Sequence, residues 1–233
     1  MSKTYRNYTY EQVAGVIDHS ILKPTNTADD ITQACEDAKR LGVASVCVRP
    51  MDVAQAADLL AGSKVKVGTV IGFPHGTTTT ASKVFEAQDA IRNGAVELDM
   101  VLNISWLVTG QLDKVTEEIR AVVAAAHELL PTAQIKVIFE TAFLNAEQIV
   151  AACHATEAAG ADYVKTSTGF ASEGATLENI RLMKATVGDR LKVKSSGGVR
   201  TLDQLIDYLD AGISRSGCSA TEAVLNEFLE KAK

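Results

Sequence analysis

Short runs of apolar, β-branched residues recur along the chain, and most are followed by a longer segment in which apolar residues return every three or four positions. The first pattern predicts buried strands and the second amphipathic helices. Eight strands are expected near Val16–Leu22, Ala44–Val48, Val65–Phe73, Val96–Asn103, Ile135–Thr141, Tyr163–Thr168, Leu191–Ser195 and Ile213–Ser216. Ala-rich segments such as TADDITQACEDAKRLG and TTTASKVFEAQDAIRNG lie between them and read as helices. In the first of these, Thr27 is placed as N-cap, Asp29 and Asp30 sit at the positive end of the dipole, and Gly42 can close the C-terminus. A short helical extension over about residues 1–15 is expected before the first strand.

The phrase helix–Gly–apolar strand repeats as LGVASVCV, NGAVELDM, AGADYVKT and AGISRSG. A glycine ending a helix just before a buried strand is the expected chemistry of a helix-to-strand loop. No Pro/Gly/Ser-rich linker divides the chain, so residues 1–233 read as one domain. Eight strands in that length favour an α/β fold of the (β/α)8 TIM-barrel type. An open doubly wound sheet is the alternative, and strand order, which the sequence does not display, separates the two.

A net charge of -6 argues against a broad basic face for nucleic acid, so any anionic ligand must be held by local devices. The cysteines Cys35, Cys47, Cys153 and Cys218 form no CxxC pair, which argues against a zinc site or a disulfide framework and fits a reducing compartment. The polar N-terminus and the lack of a run of roughly 20 apolar residues lead to the expectation of a cytoplasmic protein without a membrane partner.

Two lysines stand where lysines are expensive. Lys165 in ADYVKTSTGF and Lys194 in LKVKSSGGVR both come late in apolar strands. Alternation puts Tyr163, Lys165 and Ser167 on one face, and Lys192, Lys194 and Ser196 on one face of the next strand. If Val164 and Val193 pack under the helices, both late lysines point into the mouth. Burial and a like-charged neighbour each disfavour the ammonium, and a neutral lysine can attack a carbonyl to form a Schiff base. The plain alternative is that each is an ion-pair partner for an interior carboxylate. VELDMVLN places Glu97 and Asp99 on one face; Asp99, nearer the C-terminal end, is the better placed acid/base, with a structural counter-ion as its alternative. Glu97 lies deeper and could neutralise a lysine such as Lys192, while Asp18 in the first strand could also face the mouth. The last two strands run into small-residue turns and then helices, so Gly197, Gly198, Gly217 and Ser219 form a candidate phosphate cup. Paired glycines alone are a weak signal, because tight strand-to-helix turns need glycine anyway.

VKTSTGF around Lys165, KSSGGVRT around Lys194, VELDMVLN around Asp99, GFPHG at Gly72–Gly76 and the opening DHSILKPT together resemble the deoxyribose-phosphate aldolase family, from about Asp18 to Ser219. The resemblance implies reversible cleavage of 2-deoxy-D-ribose 5-phosphate to D-glyceraldehyde 3-phosphate and acetaldehyde, without metal or organic cofactor, in a homodimer or homotetramer. It also implies roles: Lys165 forms the Schiff base, Lys194 lowers its pKa, Asp99 relays protons through a water, Asp18 assists, and Gly197, Gly198, Gly217 and Ser219 hold the phosphate. This chain departs from the family pattern at Ala220, where many members carry a second serine, and at Ser20 in place of threonine. It ends at Lys233 without the tyrosine tail of some members. Relaxed dependence on the phosphate group is the expectation that Ala220 raises.

Cys47, in SVCVRP, reads as buried and inert, and Cys47→Ala is expected to retain activity. His19, His75, His127 and His154 lack metal-ligand spacing, and Trp106 reads as a packing residue. Two other readings compete. A metal-dependent aldolase or epimerase on the same fold would lose activity in excess chelator. A non-enzymatic phosphate-binding barrel would yield no borohydride-trapped adduct.

Overall fold

The computed structural model describes residues 3–233; Met1 and Ser2 lie outside the described residues. The expected helical extension is helical only at its end. Strands β1 (Thr4–Tyr5) and β2 (Tyr8–Thr9) pair antiparallel before the single-turn helix α1 (Tyr10–Ala14). Arg6 and Asn7 take φ of +48° and +71°, the two left-handed positions of a tight hairpin turn, and tyrosine and threonine favour strand over helix beside it.

The chain then alternates strand and helix: β3 (Ile17–Ile21), α2 (Ala28–Leu41), β4 (Ser45–Val48), α3 (Val53–Leu59), β5 (Lys66–Ile71), α4 (Thr80–Arg92) and β6 (Glu97–Val101). Two helices follow, α5 (Ile104–Val108) and α6 (Leu112–Leu129). The remainder is β7 (Gln134–Ile138), α7 (Ala146–Ala158), β8 (Tyr163–Lys165), α8 (Leu177–Val187), β9 (Lys192–Ser196), α9 (Leu202–Asp210), β10 (Arg215–Cys218) and α10 (Thr221–Lys231). Strands β3 to β10 form a closed parallel barrel, and the closing pair is β10 with β3, Gly217 opposite Asp18. That pairing excludes the open sheet.

Alternation sorts the strand residues as the sequence pattern requires. Val46, Leu98, Val137, Val164 and Val193 belong to the apolar core between strands and helices. Each such side chain contributes about 1.5–3 kcal/mol by leaving water. The opposite parity (Ser45, Glu97, Asp99, Lys136, Lys165 and Lys194) carries the buried polar side chains. Helix α2 forms as expected: Thr27 caps Asp30 N–H, Asp30 caps Thr27 in return, and Gly42 at φ +69° ends it. Trp106 is half-buried against the core. Among the described residues, no helix is long and apolar enough to cross a membrane.

Candidate active site

The barrel interior is ionic. Asp18, Glu97 and Asp99 face Lys136, Lys165, Lys194 and Arg215, so the cluster holds one cation more than it has carboxylates. Lys136 Nζ lies 2.7 Å from Glu97, 2.9 Å from Asp99 and 3.6 Å from Asp18. Lys194 bonds Asp18 and lies 2.6 Å from Asp99 Oδ2. Arg215 spans from Asp18 to Glu97. Lys165 has a single carboxylate partner, Asp99 Oδ2 at 2.6 Å, and that oxygen is shared with Lys194. Ser45 completes Asp18 with a 2.7 Å hydrogen bond.

This unequal allocation sets the proton affinities. Burial pulls Lys165 below its ordinary value; Asp99 opposes the shift and Lys194 adds to it. Burial also acts on Lys194 and Lys136, but their carboxylates outweigh it and hold both above the lysine value. Asp99 is desolvated too, yet the three lysines hold it well below the usual carboxylate range. Lys165 is therefore the member of the cluster most ready to give up its proton.

Lys165 is also the one with access. A cavity of about 430 Å³ opens at the C-terminal ends of the strands and is lined by Lys165, Gly197, Gly198, Gly217 and Ser219, with Lys23 at its edge. Asp18, Asp99 and Lys194 are buried and do not border it. Of the two lysines expected at the mouth, one reaches it and one stands behind. Gly198, at φ +80°, has open space where a side chain would be, while Gly217 is packed so closely that a Cβ would lie 2.9 Å from Ser196 Cβ. Ala220 occupies the N-cap of α10 and makes no side-chain cap, which leaves the first amides of that helix without a side-chain partner. A second cavity of about 270 Å³ adjoins the first, and Leu22 and Phe170 line both. Phe170 packs edge-on against Phe73 at 5.2 Å.

Some expectations need correction. Lys192 is exposed at the start of β9 and lies over the Tyr163 ring at 5.2 Å; Glu97 is neutralised by Lys136 and Arg215 instead. Neither of those two cations was singled out in the sequence. Lys136 carries the signal used for Lys165, since Ile135 and Val137 flank it in an apolar strand; Arg215 sits in a Ser/Gly-rich stretch without such a pattern. Glu140, also unanticipated, is buried with φ +56°, and its carboxylate accepts bonds from the N–H and hydroxyl of Thr168 beside the cavity. Lys83 is fully buried on α4, 2.8 Å from Glu118 of α6, and donates to Gly76 O at 3.0 Å. Cys47 is buried within reach of the ionic cluster, and burial pushes its thiol up to about 11, so it is a poor nucleophile at neutral pH.

A closed parallel barrel with one desolvated lysine bordering the cavity at its mouth, backed by a carboxylate, is an arrangement that can serve carbonyl chemistry. Residues 12–220 match the DeoC/LacD family aldolase, and the chain belongs to that family. It is 48% identical over 214 residues to the deoxyribose-phosphate aldolase of Carboxydothermus hydrogenoformans, covering 92% of this chain and 94% of the relative. It is 52% identical over 204 residues to deoxyribose-phosphate aldolase 1 of Staphylococcus aureus, with 88% and 91% covered. Among solved structures, a deoxyribose-phosphate aldolase described as putative, from Coccidioides immitis, superposes with a TM-score of 0.91 at 44% identity, covering 96% of this chain and 88% of that one. A tetrameric deoxyribose phosphate aldolase from Aeropyrum pernix gives 0.88 at 29% identity, covering 94% and 92%.

Proposed function

We propose that the chain, acting as one domain, is a deoxyribose-phosphate aldolase that cleaves 2-deoxy-D-ribose 5-phosphate reversibly to D-glyceraldehyde 3-phosphate and acetaldehyde. The observation that carries this reading is Lys165, depressed in proton affinity and bordering the same cavity as Gly197, Gly198, Gly217 and Ser219. The neutral Lys165 amine adds to C1 of the open-chain sugar, and the carbinolamine loses water to give an iminium. The C3 hydroxyl gives up its proton, the C2–C3 bond breaks, and its electron pair flows into the iminium to leave an enamine. D-Glyceraldehyde 3-phosphate departs. Protonation of the enamine carbon and hydrolysis release acetaldehyde and restore the amine.

Asp99 is the group assigned to relay these protons through a water, since it is held anionic 2.6 Å from Lys165 Nζ. Lys194 is assigned to keep it so and also repels the charged form of Lys165, while Asp18 is assigned to assist in the same network by holding Lys194 in place. The glycine amides of the last two loops, Ser219 and the uncapped start of α10 are assigned to the phosphate. The lysine serves as electron sink, so neither metal nor organic cofactor takes part, and activity is expected to survive excess chelator. We read the protein as cytoplasmic, in keeping with four free buried cysteines, and as a homodimer or homotetramer, in keeping with the tetrameric relative.

Borohydride reduction in the presence of acetaldehyde tests the reading. An adduct on the Lys165 peptide that disappears in Lys165→Ala is the expected result. A folded wild-type protein that gives no adduct would refute it and favour a phosphate-binding barrel.

A further inference from the structure

An anionic substrate bound by a chain of net charge -6 needs a local cation at the anion's end of the cavity. The interior cations are committed: Lys136, Lys194 and Arg215 each contact two or more carboxylates. Lys165 is the proposed nucleophile. Ala220 offers no hydroxyl. Among the described residues, the cavity lining holds one other cation, Lys23.

Its position is built. Lys23 follows β3, and the turn it opens is closed by the Asn26 N–H donating to Lys23 O at 3.1 Å. Arg49 donates to the carbonyls of Lys23 at 3.3 Å and Pro24 at 3.2 Å. Its other nitrogens grip the buried Asp52 at 2.6 and 3.1 Å, a two-point hold that fixes the guanidinium plane. Pro24 stiffens the turn further. The backbone of this turn is thus held from below by an ion pair, while the Lys23 side chain is exposed and has no carboxylate within salt-bridge distance among the described residues. A held backbone carrying an unpaired, exposed ammonium in the lining of a cavity fits a doubly charged ester that must enter, react and leave. A point charge serves such an anion without locking it.

We infer that Lys23 supplies the positive charge that recognises the substrate phosphate, and that Arg49, through the Lys23 and Pro24 carbonyls, is its positioning residue. The inference rests on the aldolase reading above. It opposes the expectation from Ala220: loss of one hydroxyl is offset by a charge from the turn after β3, the strand paired with β10, and selectivity for the phosphate ester is kept. Because the ammonium is exposed, its contribution is screened by salt.

The test compares wild type, Lys23→Gln, Lys23→Arg and Arg49→Met on deoxyribose 5-phosphate and on free deoxyribose. Lys23→Gln is expected to raise KM for the ester roughly tenfold, the scale of one charge-assisted contact, with kcat little changed. Its kcat/KM on free deoxyribose and its acetaldehyde adduct on Lys165 stay at wild-type levels, and Lys23→Arg restores most of the loss. Arg49→Met raises the same KM by a smaller factor. Inorganic phosphate, measured by calorimetry, binds wild type more tightly than Lys23→Gln. An unchanged KM for the ester, or an equal loss on both sugars, overturns the inference. If wild type fails to cleave the ester yet binds phosphate in a Lys23-dependent way, the charge site stands and the substrate assignment falls.

Discussion

Lys165 and Lys83 are both buried lysines beside a carboxylate, and burial lowers the proton affinity of each. Lys83 has Glu118 to itself and a backbone carbonyl besides, in a sealed contact between α4 and α6. Glu118 in turn accepts from Asn103 N–H at 2.9 Å, so the pair ties the Gly76 loop to the segment following β6. Lys165 shares its one carboxylate oxygen with Lys194, in a cluster short of anions, and borders a cavity. A depressed lysine alone therefore does not mark a nucleophile. What separates the two is a deficit of counter-charge together with a path for substrate.

Three substitutions sharpen that contrast. Asp99→Asn removes the charge shared by the interior lysines and the assigned relay, so kcat/KM should fall by about 10²–10⁴, the usual range for a general acid–base group; a loss under threefold would assign the relay elsewhere. Lys83→Met strands Glu118 in the interior and is expected to cost about 3–5 kcal/mol in chemical denaturation, with acetaldehyde trapping preserved in the folded fraction. The double change Lys83→Met/Glu118→Leu should recover most of that stability. If trapping by folded Lys83→Met is lost, the structural reading of this pair is wrong.

The smallest effect concerns pH. Lys165 reacts as the free amine, so trapping rises with pH through a proton affinity held below that of an ordinary lysine. Lys194→Met removes a repelling charge and leaves Asp99 Oδ2 more fully to Lys165. Both changes favour the ammonium, so the trapping profile should move to higher pH by about one unit. A profile that stays put, or moves to lower pH, would mean that Lys194 does not set the reactivity of its neighbour.

The barrel was legible because most strands obey one rule, apolar residues on the outward parity, with Val164 and Val193 the clearest cases and the Ser/Gly-rich β10 the exception. The same rule made Lys165, Lys194 and Asp99 visible. It would also have found Lys136, which lies between Ile135 and Val137. What one-dimensional pattern cannot supply is which charges meet across the barrel. That depends on tilt and stagger, which bring Arg215 of β10 to Glu97 of β6 and leave Lys192 outside at the level of Tyr163. Lys83 was hidden for a different reason: a lysine in an Ala-rich helix reads as solvated, and only the packing of α4 on α6 buries it. The hairpin at Thr4–Thr9 was missed because its turn is made by Arg6 and Asn7 without a glycine to announce it.

Phe170 is part of a partition: half-exposed and braced edge-on by one neighbouring ring, it lines, with Leu22, both chambers, and a smaller residue there would enlarge the passage between them. The added space would be bounded by Phe73, Pro50, Pro74 and Val70 together with the charged Arg49 and Glu86, a mostly apolar annex beside the glycine-lined cavity. Its position outside the ionic cluster means that a change of side chain at Phe170 alters the shape of the cavity while leaving the buried charges in place.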